Sequence, residues 1–192
     1  MQRIRLLLLF TIAIIMLTGS GCLLLSNRNA ESPTDEGGGR TPPLTAAELL
    51  STLETAIVQR NTVLYMQSFD SDSFRFIPDE ESATRYGAVF NDFNYTRELR
   101  FSQSLFNRVN LPVDSVSEAD FTLLSEQPAL SGLQVETAYT IRLGLTVAVE
   151  QTVTARATLM LVRATDGGYS ILSWRDIRTG TAPTISEWKA VL

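Results

Sequence analysis

The chain has 192 residues, with 16 basic and 21 acidic side chains, a net charge of −5, one cysteine and no histidine. Without histidine, serine–histidine–aspartate triads, cysteine–histidine pairs and histidine-ligated zinc sites are excluded, so acid–base chemistry would have to use carboxylates, tyrosine or arginine. The acidic balance lacks the basic patches that phosphate neutralisation needs, so nucleic acid is not an expected partner, and no residue pattern calls for a metal or a cofactor.

Arg3 and Arg5 precede an apolar run from Leu6 to Leu17, which breaks into Thr18-Gly19-Ser20-Gly21 before Cys22. A basic start, an apolar centre and a small-residue exit make residues 1–21 a secretory signal peptide. The cysteine behind that exit resembles the lipobox of bacterial lipoproteins, although Gly19 stands where the commonest version has Leu. The resemblance implies acylation of Cys22, palmitate included, and an exported chain anchored to a membrane of the bacterial cell envelope. Leu23, rather than Asp, follows the cysteine, which by the same analogy favours the outer membrane where there is one. An uncleaved span over Leu6–Leu25 is the alternative, since about 20 apolar residues cross a bilayer; both place everything after Leu25 outside. Removing the signal takes away Arg3 and Arg5 and leaves 14 basic against 21 acidic residues, a net charge of −7.

Residues 22–43 form the lipidated N-terminus and a linker. Ser26 to Pro43 is polar, has no large apolar side chain and contains three consecutive glycines, so it is expected to be a flexible tether. Thr45-Ala46-Ala47-Glu48 has the form of a capping box, and Ala46, Leu49, Leu50, Leu53, Ile57 and Leu64 follow at helical spacing, with an interruption at Asn61-Thr62. Phe74 and Phe76 alternate in a short strand over Ser73–Ile77, ended by Pro78. Asp79 then caps a helix carrying Glu80 and Glu81 in its first turn. Tyr86, Val89, Phe90 and Phe93 recur at helical spacing, and Tyr95, Leu99 and Phe106 continue it past a break at Asn94.

The last third is β. A strand is expected over Phe121–Leu124. Val135, Thr137, Tyr139, Ile141, Leu143, Leu145 and Val147 share one face of the next strand, and Val153, Ala155, Ala157, Leu159 and Leu161 one face of another. Asp166-Gly167-Gly168 is a hairpin turn, Tyr169–Arg178 the returning strand, and Ile185–Val191 a short terminal helix. Helices followed by an antiparallel meander over residues 44–192 indicate one α+β domain.

Two stretches resemble the NTF2-like (SnoaL-like) superfamily. The opening block ELLSTLETAIVQRNTVLYMQSFDSDSFRF places two helices before acidic residues and an aromatic strand. The closing GGYSILSWRDI is similar to the final strand of many such domains. The resemblance implies a cone, in which N-terminal helices pack on a strongly curved antiparallel sheet, a pocket inside the cone, and an outer sheet face able to form a homodimer. Ala155 and Ala157 would leave room between sheet and helix for such a pocket. The superfamily also includes ketosteroid isomerase-like enzymes and epoxide hydrolases, which use Asp in histidine-free sites.

The catalytic candidates on that resemblance are Asp70, Asp72 and Asp176, with Tyr65, Tyr86 and Tyr139 as donors and Arg75 or Arg175 as charge partners; a carboxylate base needs an apolar cavity. The opposing reading is that Asp70 and Asp72 lie in a solvated turn and that Asp176 pairs with an arginine. Tyr65, Phe76, Phe90, Tyr139 and Trp174 are the candidate lining of a ligand pocket, or plain core. Three functions follow: non-enzymatic binding of a small apolar ligand or an envelope protein, a pocket enzyme of isomerase, cyclase or hydrolase type, or an assembly role with the cone filled by its own side chains. The anchor has a direct check. Metabolic labelling with a fatty acid is expected to mark the wild-type chain and to be lost in Cys22→Ala; label that survives the substitution would remove the lipobox reading.

Overall fold

The computed structural model describes residues 41–108, 117–146 and 149–192; the signal sequence, Cys22, most of the linker and Val147 lie outside the described residues. Pro42–Leu192 forms a compact unit. Helix α1 spans Ala46–Val58 and begins with the capping box, in which Thr45 accepts from Glu48 N at 3.2 Å and the Glu48 carboxylate accepts from Thr45 N at 3.2 Å. Leu49, Leu53 and Ile57 form its buried stripe. The chain turns through Arg60, whose φ of 53° lies in the left-handed region. Asn61 then caps α2, Thr62–Met66, by accepting from Leu64 N at 3.0 Å.

Strand β1, Arg75–Ile77, buries Phe76 and exposes Arg75. Helix α3, Glu80–Phe90, starts at Asp79 and is kinked at Tyr86. Helix α4, Tyr95–Arg108, is capped by Asn94, which accepts from Thr96 N at 3.1 Å and Arg97 N at 3.3 Å. Strands β2 (Ser117–Ala129), β3 (Gly132–Thr146), β4 (Val149–Arg163) and β5 (Tyr169–Ile177) follow, and α5, Ile185–Val191, ends the fold.

The sheet order is β1-β5-β4-β3-β2. Four strands form the expected antiparallel meander, but β1 joins β5 in parallel, so the curved, unclosed sheet is mixed. Strand β2 runs 13 residues, well beyond Phe121–Leu124. It is an edge strand, mostly exposed and interrupted by a bulge at Leu123/Ser125, so it carries no apolar alternation to mark its ends. Its edge position also tolerates Pro128. Further irregularities at Gly144/Thr146 and Met160/Leu161 help the sheet to bend. At the β2–β3 turn a side chain on Gly132 would come within 1.8 Å of the Leu161 carbonyl oxygen, which leaves glycine as the residue that fits.

Val135, Thr137, Tyr139, Ile141 and Leu143 of β3 and Val153, Ala155, Ala157, Leu159 and Leu161 of β4 are buried on the inner face, as the alternation predicts. The two alanines serve a different purpose from the one expected of them. Tyr139 lies opposite Ala155, and Ala157 lies opposite Asp176 on β5. Tyr139 and Asp176 are therefore two strands apart, roughly 9.5 Å in the hydrogen-bonding direction. The tyrosine ring crosses over β4 and places its hydroxyl 2.6 Å from Asp176 Oδ1. The room the alanines leave is filled by that ring. Ala157→Leu is expected to obstruct the crossing and cost about 1–3 kcal/mol of stability, read as a lower urea midpoint, whereas Ala157→Gly keeps the Tyr139–Asp176 contact.

Candidate functional site

The buried charged side chains Asp79, Glu98, Asp176 and Lys189 converge on α5. A helix of seven residues has few hydrogen bonds of its own, and its first N–H groups need outside acceptors. Thr184 has N-cap geometry but does not cap its own helix; its hydroxyl donates instead to Asp79 Oδ2 at 2.7 Å. The sheet supplies the missing acceptors. Ile185 N donates to the Tyr139 hydroxyl at 3.1 Å, and Ser186 donates to Asp176 Oδ2 through its amide at 3.0 Å and its hydroxyl at 2.5 Å. Asp176 thus acts as a cap delivered from β5.

Asp79 links the starts of two helices. It accepts from Ser82 N at 3.2 Å and Ser82 Oγ at 2.7 Å at the head of α3, and from Thr184 at the head of α5. Its own amide donates to Ser186 Oγ at 3.1 Å. Arg178 closes the cluster from outside, with Nε 3.2 Å from Asp79 Oδ1 and Nη2 2.7 Å from Glu187 Oε1. At the other end of α5, Lys189 pairs with both oxygens of Glu98, and both side chains are fully buried. Tyr65 donates to Glu98 Oε1 at 2.6 Å. The Lys189 ammonium lies 4.6, 5.2 and 4.2 Å from the ring centres of Phe76, Phe93 and Phe101.

These buried groups titrate differently. Burial pushes the Asp176 carboxyl up, against the hydrogen bonds from Ser186 and Tyr139 that favour its ionised form. Burial acts in the same sense on Asp79, but hydrogen bonds from Ser82 and Thr184 and the charge of Arg178 outweigh it and hold the group at about 2. Burial, then the neighbouring carboxylate, raises the Tyr65 and Tyr139 phenols well above their ordinary value. Burial lowers the Lys189 ammonium, with Glu98 opposing.

The candidate residues divide into separate places. Asp70 sits in a turn, where Oδ1 accepts from Ser73 N at 2.8 Å, and Asp72 is exposed beside it, accepting from Ser71 at 3.1 Å. Neither joins Asp176, whose partners are Tyr139 and Ser186 rather than the arginine expected of it. Arg75 and Arg175 are exposed on the outer face. Tyr65, Phe76, Phe90, Tyr139 and Trp174 are all buried in the hydrophobic core. Tyr139 and Trp174 pack with Phe121 at centroid distances of 5.8–5.9 Å, while Phe76, Phe90 and Phe93 form a second aromatic group. Trp174 Nε1 and Ser68 Oγ are the buried side-chain donors without a partner among the described residues.

Open clefts lie outside the cone. One of about 1000 Å³ is bordered by Ile77, Pro78, Glu81, Arg85, Arg175 and Ile177. Asp79 and Asp176 also border it, but at 3% and 2% exposure they offer it almost no surface. Two smaller clefts, of about 560 and 450 Å³, flank α2 with α4 and α3 with α5. None of the three is lined by Tyr65, Phe76, Phe90, Tyr139 or Trp174. Among the described residues no group of three or more His, Cys, Asp or Glu could hold a metal ion, and no helix is long and apolar enough to cross a membrane.

Three solved structures share this arrangement of helices on a curved sheet. A protein assigned as an aromatic ring hydroxylase from Novosphingobium aromaticivorans aligns with a TM-score of 0.53 at 9% identity, over 74% of this chain and 92% of its own. A conserved protein from Planctomyces limnophilus gives 0.52 at 10% identity, over 68% and 91%. A protein assigned as a calcium/calmodulin-dependent protein kinase type II association domain from Thiobacillus denitrificans gives 0.51 at 11% identity, over 73% and 98%. The fold is NTF2-like. Identities this low carry the fold and no activity. No family model matches the chain, and no curated protein matches it in sequence.

Within the NTF2-like cone, Glu98, Lys189, Thr184, Ser186 and Arg178 escaped sequence reasoning, and Asp79 was legible only as a helix cap. One signal was available for Lys189: it is the single lysine among 16 basic residues. The pH response of Asp79 follows from its depressed value. Its contribution is present above the unfolded carboxyl value near 4 and is lost as pH falls through about 2. Urea denaturation of wild type and Asp79→Asn is expected to differ by roughly 2 kcal/mol at pH 6, with the gap closing toward pH 2.

Proposed function

We propose that this chain is an exported lipoprotein, anchored through Cys22, whose NTF2-like domain binds a protein partner in the cell envelope and catalyses no reaction. The observation that carries the reading is that α5 covers Asp176. Both oxygens of Asp176 accept hydrogen bonds there, and the side chains expected to line a pocket are core. A carboxylate base must reach the proton it removes, and Asp176 is covered by the chain itself. Asp72 is exposed and Asp70 half-buried in a turn, and neither lines any of the three clefts. These placements weigh against the isomerase, cyclase or hydrolase alternative and against a pocket lined by Tyr65, Phe76, Phe90, Tyr139 and Trp174.

The outside of the sheet suits a partner better. Arg156 of β4 lies opposite Ile177, Arg175 of β5 lies opposite Ile77 and Thr158, and Arg75 of β1 lies opposite Ser173. This register sets three exposed arginines in a diagonal row beside the large cleft, on a chain that is acidic overall. Arginine on a partly apolar surface favours an acidic protein segment, because guanidinium makes bidentate bonds to carboxylates. A second copy of the chain is the other partner the charges favour. Asp120 and Glu136 are exposed on the β2–β3 side of the same face, where Glu118 pairs with Arg142 at 3.4 Å, so a two-fold copy would set each arginine row against Asp120 and Glu136.

A benzophenone amino acid at position 177, activated in intact cells, tests the site. A crosslinked adduct that is lost in Arg175→Glu is the expected result, and its mass separates a partner protein from a second copy. Absence of any adduct at this face, with Cys22 labelled normally, would overturn the reading.

A further inference from the structure

The Lys189–Glu98 pair has the construction of a ligand site rather than of a core contact. Glu98 is fully buried, with Tyr65 donating to Oε1 at 2.6 Å. Phe76 of β1, Phe93 of the turn between α3 and α4, and Phe101 of α4 present their rings to one point, at 4.2–5.2 Å from the Lys189 ammonium. A carboxylate surrounded by aromatic rings is the arrangement that recognises an ammonium group, through a charge-assisted bond on one side and cation–π attraction on the others. Most of the cage belongs to the body of the domain. The cation alone comes from α5, seven residues at the end of the chain.

The hold on α5 is also polar. Its N-terminus rests on Asp176, Tyr139 and Asp79, and its C-terminal turn on Glu98. Burying two ions costs several kcal/mol each, and an apolar pair of similar volume would hold a helix in place at least as well. Stability alone therefore does not explain an ammonium and a carboxylate here. A surface rich in charge-assisted bonds is characteristic of interfaces that exchange more than of permanent cores.

We propose that Glu98, Tyr65, Phe76, Phe93 and Phe101 form a binding site for a primary alkylammonium compound, occupied in this state by Lys189, so that α5 is the internal occupant which such a ligand displaces. The alkyl stem of the ligand takes the course of the lysine side chain between the rings, and its ammonium takes the place on Glu98. No bond is made or broken. The site lies on the inner side of the sheet and the partner surface on its outer face, so loss of hexylammonium binding leaves the crosslink at position 177 intact, and loss of the crosslink leaves hexylammonium binding intact.

The test uses the full chain and n-hexylammonium chloride, with sodium chloride at equal ionic strength as control. In wild type, hexylammonium is expected to raise amide hydrogen exchange in residues 185–191 in a saturable way while the strands stay protected. By calorimetry, Lys189→Ala is expected to bind hexylammonium at least tenfold more tightly than wild type, and Glu98→Gln in the Lys189→Ala background to lose that binding. Tetramethylammonium, which has no N–H to give Glu98, is expected to bind at least tenfold more weakly than hexylammonium. If Lys189→Ala does not fold, the wild-type exchange experiment decides alone. Unchanged exchange over α5 at saturating hexylammonium, or binding to Lys189→Ala that survives Glu98→Gln, would overturn the proposal.

Discussion

The contact that fixes the last helix, and with it the cover over this part of the inner sheet face, is the Asp176 carboxylate beneath the N-terminus of α5. An isolated helix of two turns is not stable in water, so α5 exists because the sheet offers acceptors for its first amides. Asp176 can do so because Tyr139 crosses β4 to hold its other oxygen, and Tyr139 can cross because Ala155 and Ala157 are small. A chain of size, reach and hydrogen bonding thus runs across three strands. Its outcome is that α5 is seated on Tyr139 and Asp176 at the inner face of the sheet.

Seating the helix on polar groups has electrostatic consequences that a greasy contact would not. Asp79 and Asp176 face the same short helix, yet burial raises one, while hydroxyl donors and a guanidinium depress the other. The difference lies in the donors. Asp79 receives Ser82, Thr184 and Arg178, a full set including a positive charge. Among the described residues Asp176 receives the neutral donors Tyr139 and Ser186 and no guanidinium. At the far end of the helix, Glu98 and Lys189 compensate each other inside the core, where either one alone would be strongly destabilising. The helix is held at both ends by charged or charge-assisted contacts, with Ile185 and Trp188 buried between them.

For function, this moves attention from the cone to its surroundings. Neighbours with this fold differ in what they are assigned to do, and at 9–11% identity they transmit only architecture. The features that bear on function are local: Asp79, Asp176 and Glu98 are engaged by the last helix, and a row of exposed arginines stands on an otherwise acidic chain. A tether at Cys22 would hold such a domain close to the membrane surface, where a weak protein contact gains from high local concentration.

Local elements were legible because their signals are local. The capping box at Thr45, the Asn61 restart, the Asp79 cap, the alternation of β3 and β4, the hairpin at Asp166-Gly167-Gly168 and the helix Ile185–Val191 each depend on residues within a few positions of one another. The opening and closing stretches also carried enough of the element order to indicate the NTF2-like fold. The length of β2 was hidden because an exposed edge strand needs no apolar period, and the parallel partner of β1 because pairing direction leaves no mark in three residues. The site was hidden for a stronger reason. Glu98 and Lys189 are 91 residues apart, and Asp79 and Thr184 are 105 apart. No periodicity links such positions, so only the folded chain decides that its single lysine is buried among aromatic rings and that Asp176 serves as the cap of a helix.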